Sequence, residues 1–295
     1  MLNDRYIRKI CLGTAQFGMD YGISNRTGMV SAGQAHDILD YAAKIGITML
    51  DTAAVYGKSE EVIGAFVSGH KAPFRIVSKM PPVADRSSAE ETLRRSLDRL
   101  KVRALYGYLV HSVQDFLKDP KPWDELAGLK DRGLVDKIGF SVYSPADVEK
   151  LFDKKIAFDI IQLPYSVFDR RFETYLSVFR KKRIETCVRS VFLQGLAFLD
   201  PYSLPKKLEK AKDHILRLNR LSYESGISVN GLCLNFVLAN DLVSSVVFGV
   251  DGLDQLRKNT EDTGKLKKIK DLHNLLDEIS IDDEDVLLPY RWNQP

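Results

Sequence analysis

Cysteine is scarce in this chain: the three that occur, Cys11, Cys187 and Cys233, lie far apart in the sequence. Their number is odd, no CxxC pair is present, and none has a histidine nearby at the spacing of a zinc site. We therefore expect three buried free thiols and no bound metal. Free thiols are typical of proteins in reducing compartments.

Long apolar segments are also missing. No run of about 18 apolar residues occurs, and the N-terminal MLNDRYIRKICLG lacks the apolar core of a signal peptide. Lysine and arginine (43) nearly balance aspartate and glutamate (40), which leaves a net charge of only +3. So small a charge argues against nucleic acid or a membrane as an obligate partner. Together these absences predict a cytoplasmic protein.

No linker, low-complexity tract or break in composition divides the 295 residues. Instead, strand-like apolar runs alternate with segments of helical periodicity, in eight units of roughly 30 residues each, and such βαβ repetition predicts a parallel sheet. Runs such as IIQL and VVFGV carry apolar residues on both faces, as expected of strands buried on both sides. We predict fold class α/β, with residues 1–295 forming a single-domain (β/α)8 TIM barrel.

An open, doubly wound sheet is the alternative architecture. Its dinucleotide-binding version carries GxGxxG after the first strand. Here that position reads GTAQFG at 13–18, which lacks the middle glycine. The closed barrel is therefore favoured.

Helix starts are marked by capping residues. Ser31 is the predicted N-cap of the first helix after the first strand. Ser87 or Ser88 is the predicted N-cap of a later helix, with Glu90 or Glu91 at the position of a capping box.

Polar side chains follow three successive strand-like runs. Asp51 ends ITMLD, Lys79 ends RIVSK and His111 ends YGYLVH, while Tyr56 lies in the loop after Asp51. The carboxyl ends of barrel strands meet at one mouth, where catalytic groups gather. Singly, each residue has a structural explanation: an ion pair, a packed ring, a solvated lysine or a histidine bonded to backbone. Together they predict an active site.

These four residue types suit acid–base chemistry. Tyrosine is a weak acid, with a pKa of about 10, and a general acid works best when its pKa approaches the working pH. A neighbouring lysine ammonium favours the phenolate, and a carboxylate holds the lysine in its charged form. A histidine adds a second donor. One use of such a set is to protonate a carbonyl oxygen while a hydride reaches its carbon.

Several segments carry a family resemblance along nearly the whole chain. They are GTAQFG (13–18), DTAAVYGKSEEVIG (51–64), SKM (78–80), LVHS (109–112), KIGFS (137–141), IIQLPYS (160–166), QGL (194–196) and FGVDGLDQLRKN (248–259). With them the chain resembles a bacterial-type aldo-keto reductase. The resemblance implies that Asp51, Tyr56, Lys79 and His111 are the catalytic tetrad. Tyr56 would be the general acid of carbonyl reduction, with Lys79 and Asp51 lowering its pKa and His111 orienting the carbonyl.

The same resemblance implies NADP(H) as cofactor, bound in extended form over the barrel mouth without a Rossmann motif. Ser141 and Gln162 match positions that contact the nicotinamide carboxamide, and an amide needs both a donor and an acceptor. Gln255 and Asn259 match positions that contact adenosine. The cofactor-binding positions carried over are Gly13, Thr14, Ser141, Gln162, Arg189, Ser190, Gly249, Gln255 and Asn259.

Two positions near the expected nicotinamide depart from the family pattern. Val142 follows Ser141 where the family often has asparagine, so one carboxamide contact is lost. The strand-seven position that usually stacks an aromatic ring on the nicotinamide falls at Arg189 or Ser190. We expect Arg189 either to stack on that ring or to recognise an anionic group.

The loop after strand eight departs from the pattern as well. Asp251 lies where many NADPH-selective members carry a basic residue, and it would repel a 2′-phosphate. Backbone N–H groups at the start of the next helix would attract one. Arg257 in that helix either serves the phosphate or faces solvent. NADP(H) is favoured from the family, and NAD(H) is the alternative.

The loops give little information on the substrate. Residues 19–31 could bring Met19, Tyr21 and Asn25 to the mouth, and Pro289 and Trp292 are expected to pack on the barrel. We expect a small aldehyde or ketone, with a sugar-derived carbonyl as one candidate. The alternatives are a dehydrogenase that works in the oxidative direction and a non-catalytic, cofactor-binding regulatory subunit. The expected state is a monomer or a simple homo-oligomer.

Overall fold

The computed structural model of the protein describes residues 4–70, 74–81 and 88–292. Eight parallel strands close into a barrel, in which each strand pairs with its neighbour in sequence and the last pairs with the first. The strands are β1 (Ile10–Gly13), β2 (Met49–Asp51), β3 (Arg75–Met80), β4 (Leu105–Val110), β5 (Val135–Ser141), β6 (Ile160–Pro164), β7 (Glu185–Arg189) and β8 (Ser245–Gly249). The predicted (β/α)8 barrel is confirmed, and closure excludes the open doubly wound sheet.

Helices follow the strands around the outside of the barrel. In the described part of the chain they are α1 (Asp4–Ile7), α2 (Ala32–Ile45), α3 (Ser59–Gly69), α4 (Ala89–Leu100), α5 (Val113–Lys118), α6 (Pro122–Asp131), α7 (Pro145–Asp153), α8 (Glu173–Lys181), α9 (Lys212–Ser225), α10 (Val229–Leu238), α11 (Leu253–Glu261), α12 (Leu266–Asp271), α13 (His273–Asp277) and α14 (Glu284–Leu287). Short 3-10 turns cover Ala15–Phe17, Leu193–Phe198, Lys206–Ala211 and Pro289–Arg291. No helix within these ranges has the length and apolar content needed to cross a membrane.

The helix starts agree with the predicted caps. The Ser31 side chain accepts a hydrogen bond from the Gln34 backbone N–H, and Gln34 reaches back to complete a capping box. Ser88 and Glu91 form the same box at the start of α4. The other candidate, Ser87, lies outside the described residues. These caps fix where the chain turns from a strand loop into a helix.

The interior of the barrel is filled by one row of apolar side chains, which we call the inner cluster. Its members are Cys11, Met49, Val77, Leu109, Ile160, Cys187 and Val247. A larger cluster packs between the strands and the surrounding helices. Such a filled barrel is a packed core and not a pore, which leaves the mouth as the place for chemistry.

The three cysteines are buried and free, as predicted. Burial raises the pKa of the Cys187 and Cys233 thiols to about 12, and it raises the pKa of Cys11 as well. All three therefore stay protonated at neutral pH, so they act as small apolar core residues.

Candidate active site

The inner face of the barrel changes from apolar to polar at the carboxyl ends of the strands. Side chains alternate between the two faces of a strand, so the residue two positions after an inward-facing one also faces inward. Two positions beyond the inner cluster lie Gly13, Asp51, Lys79, His111, Gln162, Arg189 and Gly249. Every one of these is a residue that the sequence predicts for the site, and the barrel brings them together at its mouth.

Lys79 and Asp51 form a buried ion pair. The Lys79 Nζ donates to both carboxylate oxygens of Asp51, at 2.8 Å each, and to the carbonyl oxygen of Thr52 at 2.9 Å. Lys79 is 1% exposed and Asp51 is 4% exposed. Burial disfavours the ammonium, but the Asp51 carboxylate outweighs it and raises the Lys79 pKa. Lys79 is therefore a fixed positive charge.

Tyr56 is aimed by the contact of two loops. A Cβ on Gly18 would lie 1.8 Å from the Tyr56 carbonyl oxygen, and a Cβ on Gly57 would lie 2.1 Å from the Gly18 carbonyl oxygen. Only glycine permits this approach, and Gly57 also has a positive φ of 52°. The contact places the Tyr56 ring centroid 5.1 Å from the Lys79 Nζ.

The charge state of Tyr56 differs from the sequence-based expectation. Burial raises the pKa of the Tyr56 phenol, Lys79 opposes the rise, and Asp51 adds to it. The expected net lowering of the Tyr56 pKa by Lys79 and Asp51 is wrong. Removal of the phenol from water outweighs the effect of the Lys79 ammonium, and the Asp51 carboxylate opposes that effect. The phenol therefore stays protonated near neutral pH and is able to donate its proton.

His111 lies beside Tyr56 with its ring nearly perpendicular, at 6.2 Å between centroids and 84° between planes. Burial, followed by the positive charges of Lys79 and Arg189, lowers the His111 pKa to about 3. The imidazole is therefore neutral at neutral pH. A neutral imidazole offers one N–H donor and one acceptor, which suits it to orient a carbonyl oxygen.

Gln162 and Ser141 are register partners on β6 and β5. The Gln162 Nε2 donates to Asp51 Oδ1 at 2.7 Å, so this side chain also holds the carboxylate of the ion pair. Val142 is fully buried in the larger cluster between the strands and the helices, and its carbonyl oxygen accepts a hydrogen bond from Arg189 Nη2. Val142 has no side-chain amide, so it does not provide the contact that an asparagine would give at this position.

Two cavities meet at Tyr56. One, which we call the groove, runs from Gln162 to Gln255. Gly13, Thr14, Ser190 and Gly249 also line it. The other, which we call the chamber, is lined by His111, Asp20, Ile23, Asn25, Tyr143, Pro289, Tyr290 and Trp292. The side chains shared by both cavities are Tyr21, Tyr56, Arg189 and Gln194.

Two loops join above the groove. The Gln194 carbonyl oxygen accepts from the Ile23 backbone N–H at 3.0 Å, and the Gln194 Nε2 donates to the Tyr21 hydroxyl at 2.9 Å. Next to it, a Cβ on Gly195 would lie 2.0 Å from Ser24 Oγ. The loops after β1 and β7 therefore form a roof, which encloses the middle of the groove.

The end of the groove near α11 opens into a basic recess. Gln255 lines both spaces, and Arg26, Asn230 and Lys258 line the recess. Asn259 is buried behind Asn230, and its side-chain oxygen accepts a hydrogen bond from Asn230 Nδ2. The recess therefore offers two cations, Arg26 and Lys258, beside one exposed carboxylate, Asp200.

Arg257, the cation named from the sequence, lies on another side of α11. Its guanidinium rests 5.3 Å from the Tyr41 ring centroid and pairs with Asp254 at 3.4 Å. Asp251 is held at the groove, where its backbone N–H donates to Gln255 Oε1 at 2.6 Å and its carboxylate accepts from Gln16 Nε2 at 3.4 Å. Burial raises the Asp251 pKa.

The residues of the groove fit an extended nicotinamide dinucleotide. Gly13 and Gly249 line it without side chains of their own, and the Gln16 side chain lies against Gly249, where a Cβ would come within 2.3 Å of Gln16 Oε1. At the far end the N-terminus of α11 begins after Gly252, and free backbone N–H groups at a helix start favour phosphate. No cluster of side chains able to hold a metal ion occurs in residues 4–70, 74–81 or 88–292.

The family model for the aldo/keto reductase family matches residues 9–281. The chain belongs to the aldo/keto reductase family. Oxidoreductase YqkF of Bacillus subtilis is 26% identical over 287 residues, which cover 86% of this chain and 90% of YqkF. The NAD/NADP-dependent indole-3-acetaldehyde reductase of Schizosaccharomyces pombe is 31% identical over 146 residues, 48% of each chain. Aldo-keto reductase AKR11C1 of Bacillus halodurans (holo form) has a TM-score of 0.71 at 20% identity, with 90% of this chain and 91% of that chain covered, a likeness of fold.

In this aldo/keto reductase, sequence reasoning missed several side chains at the mouth. Tyr143 follows Ser141 by two positions, so the alternation along β5 was a usable signal for it. Lys258 follows Gln255 by three positions on α11, so helical periodicity was a signal for it. Gln194 and Tyr290 reach the mouth from distant loops, and no local pattern marks them.

Proposed function

We propose that this aldo/keto reductase reduces an aldehyde or ketone to an alcohol, with Tyr56 as the general acid. The observation that carries the proposal is the position of Tyr56 at the junction of the groove and the chamber, beside the Lys79 ammonium. A reduced nicotinamide cofactor, when bound in the groove, supplies the hydride. A carbonyl in the chamber would meet the Tyr56 hydroxyl.

Each of the four residues Asp51, Tyr56, Lys79 and His111 has a defined part in the proton transfer. As the carbonyl carbon is reduced, the Tyr56 O–H bond breaks and its proton goes to the carbonyl oxygen. The Lys79 ammonium stabilises the phenolate that remains, and Asp51 keeps Lys79 charged and in place. Neutral His111 donates a hydrogen bond to the carbonyl oxygen. Solvent then restores the Tyr56 proton.

Turnover of a carbonyl panel tests this proposal. We expect oxidation of NADPH, followed at 340 nm, with members of a set of aldehydes, ketones and sugars. Tyr56→Phe should lower kcat by about 100-fold or more, since a positioned general acid contributes about 10²–10⁴. Tyr223→Phe is the matched control, because Tyr223 is 89% exposed on α9. Unchanged turnover in Tyr56→Phe would remove Tyr56 from the mechanism.

The same turnover assay separates the alternatives. The intact Lys79–Asp51 pair argues against a non-catalytic regulatory subunit, because such a role needs no buried charge beside the phenol. Cofactor binding without turnover of any carbonyl or alcohol in the panel would support that subunit. Faster turnover of the alcohols with the oxidised cofactor would support the oxidative direction.

NADPH is the preferred cofactor in this proposal. Arg26 and Lys258 place two positive charges in the recess at the end of the groove, where the 2′-phosphate of a bound NADPH would meet them. Asp251 hydrogen-bonds to Gln16 within the groove wall, which weakens its repulsion of that phosphate. The fission-yeast relative is named for both NAD and NADP, so NADH is the second candidate.

The ratio of the dissociation constants for NADPH and NADH tests the preference. We expect Lys258→Gln to weaken NADPH binding by about tenfold, a change of about 1.4 kcal/mol, and to leave NADH binding nearly unchanged. Arg257→Gln, one position away but facing Tyr41, is the matched control and should bind both cofactors like the wild type. A tenfold preference of the wild type for NADH would contradict the choice.

A further inference from the structure

Arg189 ends β7 and lies between the groove and the chamber. Its Nη2 donates to the Val142 carbonyl oxygen at 3.0 Å, and its Nη1 donates to Ser190 Oγ at 3.2 Å. The guanidinium carbon lies 4.2 Å from the Tyr143 ring centroid. These three contacts fix the guanidinium in one place, although none of them neutralises its charge.

The positive charge of Arg189 has no protein counter-ion. Among the described residues, no carboxylate lies within 4.0 Å of its guanidinium nitrogens, and its Nε is buried with no hydrogen-bond acceptor. The other cation of the site, Lys79, is already neutralised by Asp51. A half-buried charge and a buried donor without partners are both costly, so the site is electrostatically incomplete.

The walls around Arg189 increase the effect of its charge. Tyr21, Tyr143, Tyr290 and Trp292 line the chamber, and aromatic walls lower the local dielectric, which strengthens attraction to an anion. Asp20 also lines the chamber, but its side chain is exposed, where water weakens its repulsion. The chamber therefore favours one negative charge.

The donor geometry of Arg189 narrows the kind of anion. A guanidinium has five N–H donors, and two of them are used by Val142 and Ser190. The remaining fork suits the planar, bidentate acceptor that a carboxylate offers. A phosphate dianion would need a second cation, but His111 is neutral and Lys79 is paired. Stacking on the nicotinamide, the other expectation from the sequence, would leave the charge without a partner.

The geometry points to Arg189 as the residue that recognises a carboxylate on the substrate, which makes oxo acids the substrate class of this enzyme. The inference rests on the proposed reductase function. Carboxylate recognition fixes one end of the substrate at Arg189 while its carbonyl meets Tyr56 and His111. A neutral aldehyde of the same size would react, but with a higher KM.

Matched substrate pairs test the inference. The pairs are 4-carboxybenzaldehyde with 4-formylbenzamide, and succinic semialdehyde with its primary amide. In the wild type we expect kcat/KM to be about tenfold or more higher for the carboxylate in at least one pair, since a charged bidentate contact contributes that much. Arg189→Gln should remove the preference mainly through KM. Arg189→Lys should keep part of it, because it keeps the charge but not the fork.

Controls assign the effect to substrate recognition. Arg183→Gln, in the exposed turn before β7, should behave like the wild type. The dissociation constant of NADPH should be the same for Arg189→Gln and the wild type. Equal loss for both members of each pair, or weakened NADPH binding in Arg189→Gln, would overturn the inference and assign Arg189 to the cofactor. A larger Arg189-dependent preference for glyceraldehyde 3-phosphate over glyceraldehyde would overturn the choice of carboxylate.

A binding measurement separates this inference from the reductase proposal. Calorimetry with 4-(hydroxymethyl)benzoate and its amide on the Tyr56→Phe protein measures recognition without turnover. We expect tighter binding of the carboxylate, lost when Arg189→Gln is added. Equal binding of both compounds overturns carboxylate recognition even if neutral aldehydes are reduced. Carboxylate preference without turnover in the wild type would overturn the reductase proposal alone.

Discussion

At the scale of single residues, burial and pairing set the charge states of three side chains of the site. Lys79 stays positive because Asp51 offsets the cost of its burial. His111 is neutral because burial, and after it the nearby charges of Lys79 and Arg189, lower its pKa. Tyr56 keeps its proton because burial outweighs the attraction of Lys79. The proton that the proposed reduction needs is therefore on Tyr56 across the neutral range.

These charge states predict the pH dependence of reduction. The Tyr56 pKa lies above its usual value of about 10, so the acid form is present at lower pH and is lost only as the pH rises through that raised value. The His111 pKa of about 3 predicts no change in its charge between pH 5 and 9. We expect kcat/KM to be flat over that range and to fall above about pH 10.

A pH profile of kcat/KM with a neutral aldehyde checks this expectation. A neutral substrate keeps Arg189 recognition out of the measurement. An inflection near pH 6.5 that disappears in His111→Gln would contradict the neutral imidazole. A decline beginning near pH 8 would instead indicate the lowered Tyr56 pKa that the sequence alone suggests.

At the scale of elements, strands carry the charged residues Asp51 and Lys79, and a loop positions Tyr56. Asp51 and Lys79 come from the paired strands β2 and β3, whose register allows little movement. Tyr56 comes from a loop, and its position depends on the contact between Gly18 and Gly57. The position of the Tyr56 hydroxyl therefore depends on two glycines that take no part in the proposed proton transfer.

Gly18→Ala tests this dependence. The new Cβ would lie 1.8 Å from the Tyr56 carbonyl oxygen, so the loop must move. We expect kcat to fall by about 100-fold, the usual cost of a misplacement of about 1 Å, and stability to fall by about 1–3 kcal/mol. Gly33→Ala in α2 has nothing within 4 Å of its Cβ and is the control, expected to be neutral or slightly stabilising. Wild-type kcat in Gly18→Ala would show that the contact does not aim Tyr56.

The sequence predicted those parts of the site that depend on local order. The tetrad was predictable because each member lies at or near a strand end, and all barrel strands end at the same mouth. The two alternatives for Arg257 stayed open, and Lys258 was missed, because the face of α11 that carries Gln255 was not considered; the structure places Arg257 beside Tyr41 and Asp254. The chamber residue Tyr290 was not predictable, because its position depends on how the chain returns to the mouth after β8.

At the scale of the whole molecule, the inward-facing residues of the barrel strands form both the core and the site. The lower members are apolar and fill the barrel, and the members two positions later line the mouth and are polar, apart from Gly13 and Gly249. Most of the site therefore lies on or directly after paired barrel strands, which favours accurate positioning. The cost is that a buried charge pair, Lys79 with Asp51, is part of the core.

Removing one partner of that pair should harm stability as well as activity. Lys79→Met leaves the Asp51 carboxylate buried without its cation, and we expect a loss of about 3–5 kcal/mol in the free energy of unfolding. Asp51→Asn combined with Lys79→Met removes both charges and should recover part of that loss, while remaining inactive. Arg220→Met, which breaks an exposed pair with Glu224, is the control and should cost less than about 1 kcal/mol. Urea unfolding measures all three, and a Lys79→Met protein as stable as the control would mean that the pair serves the reaction alone.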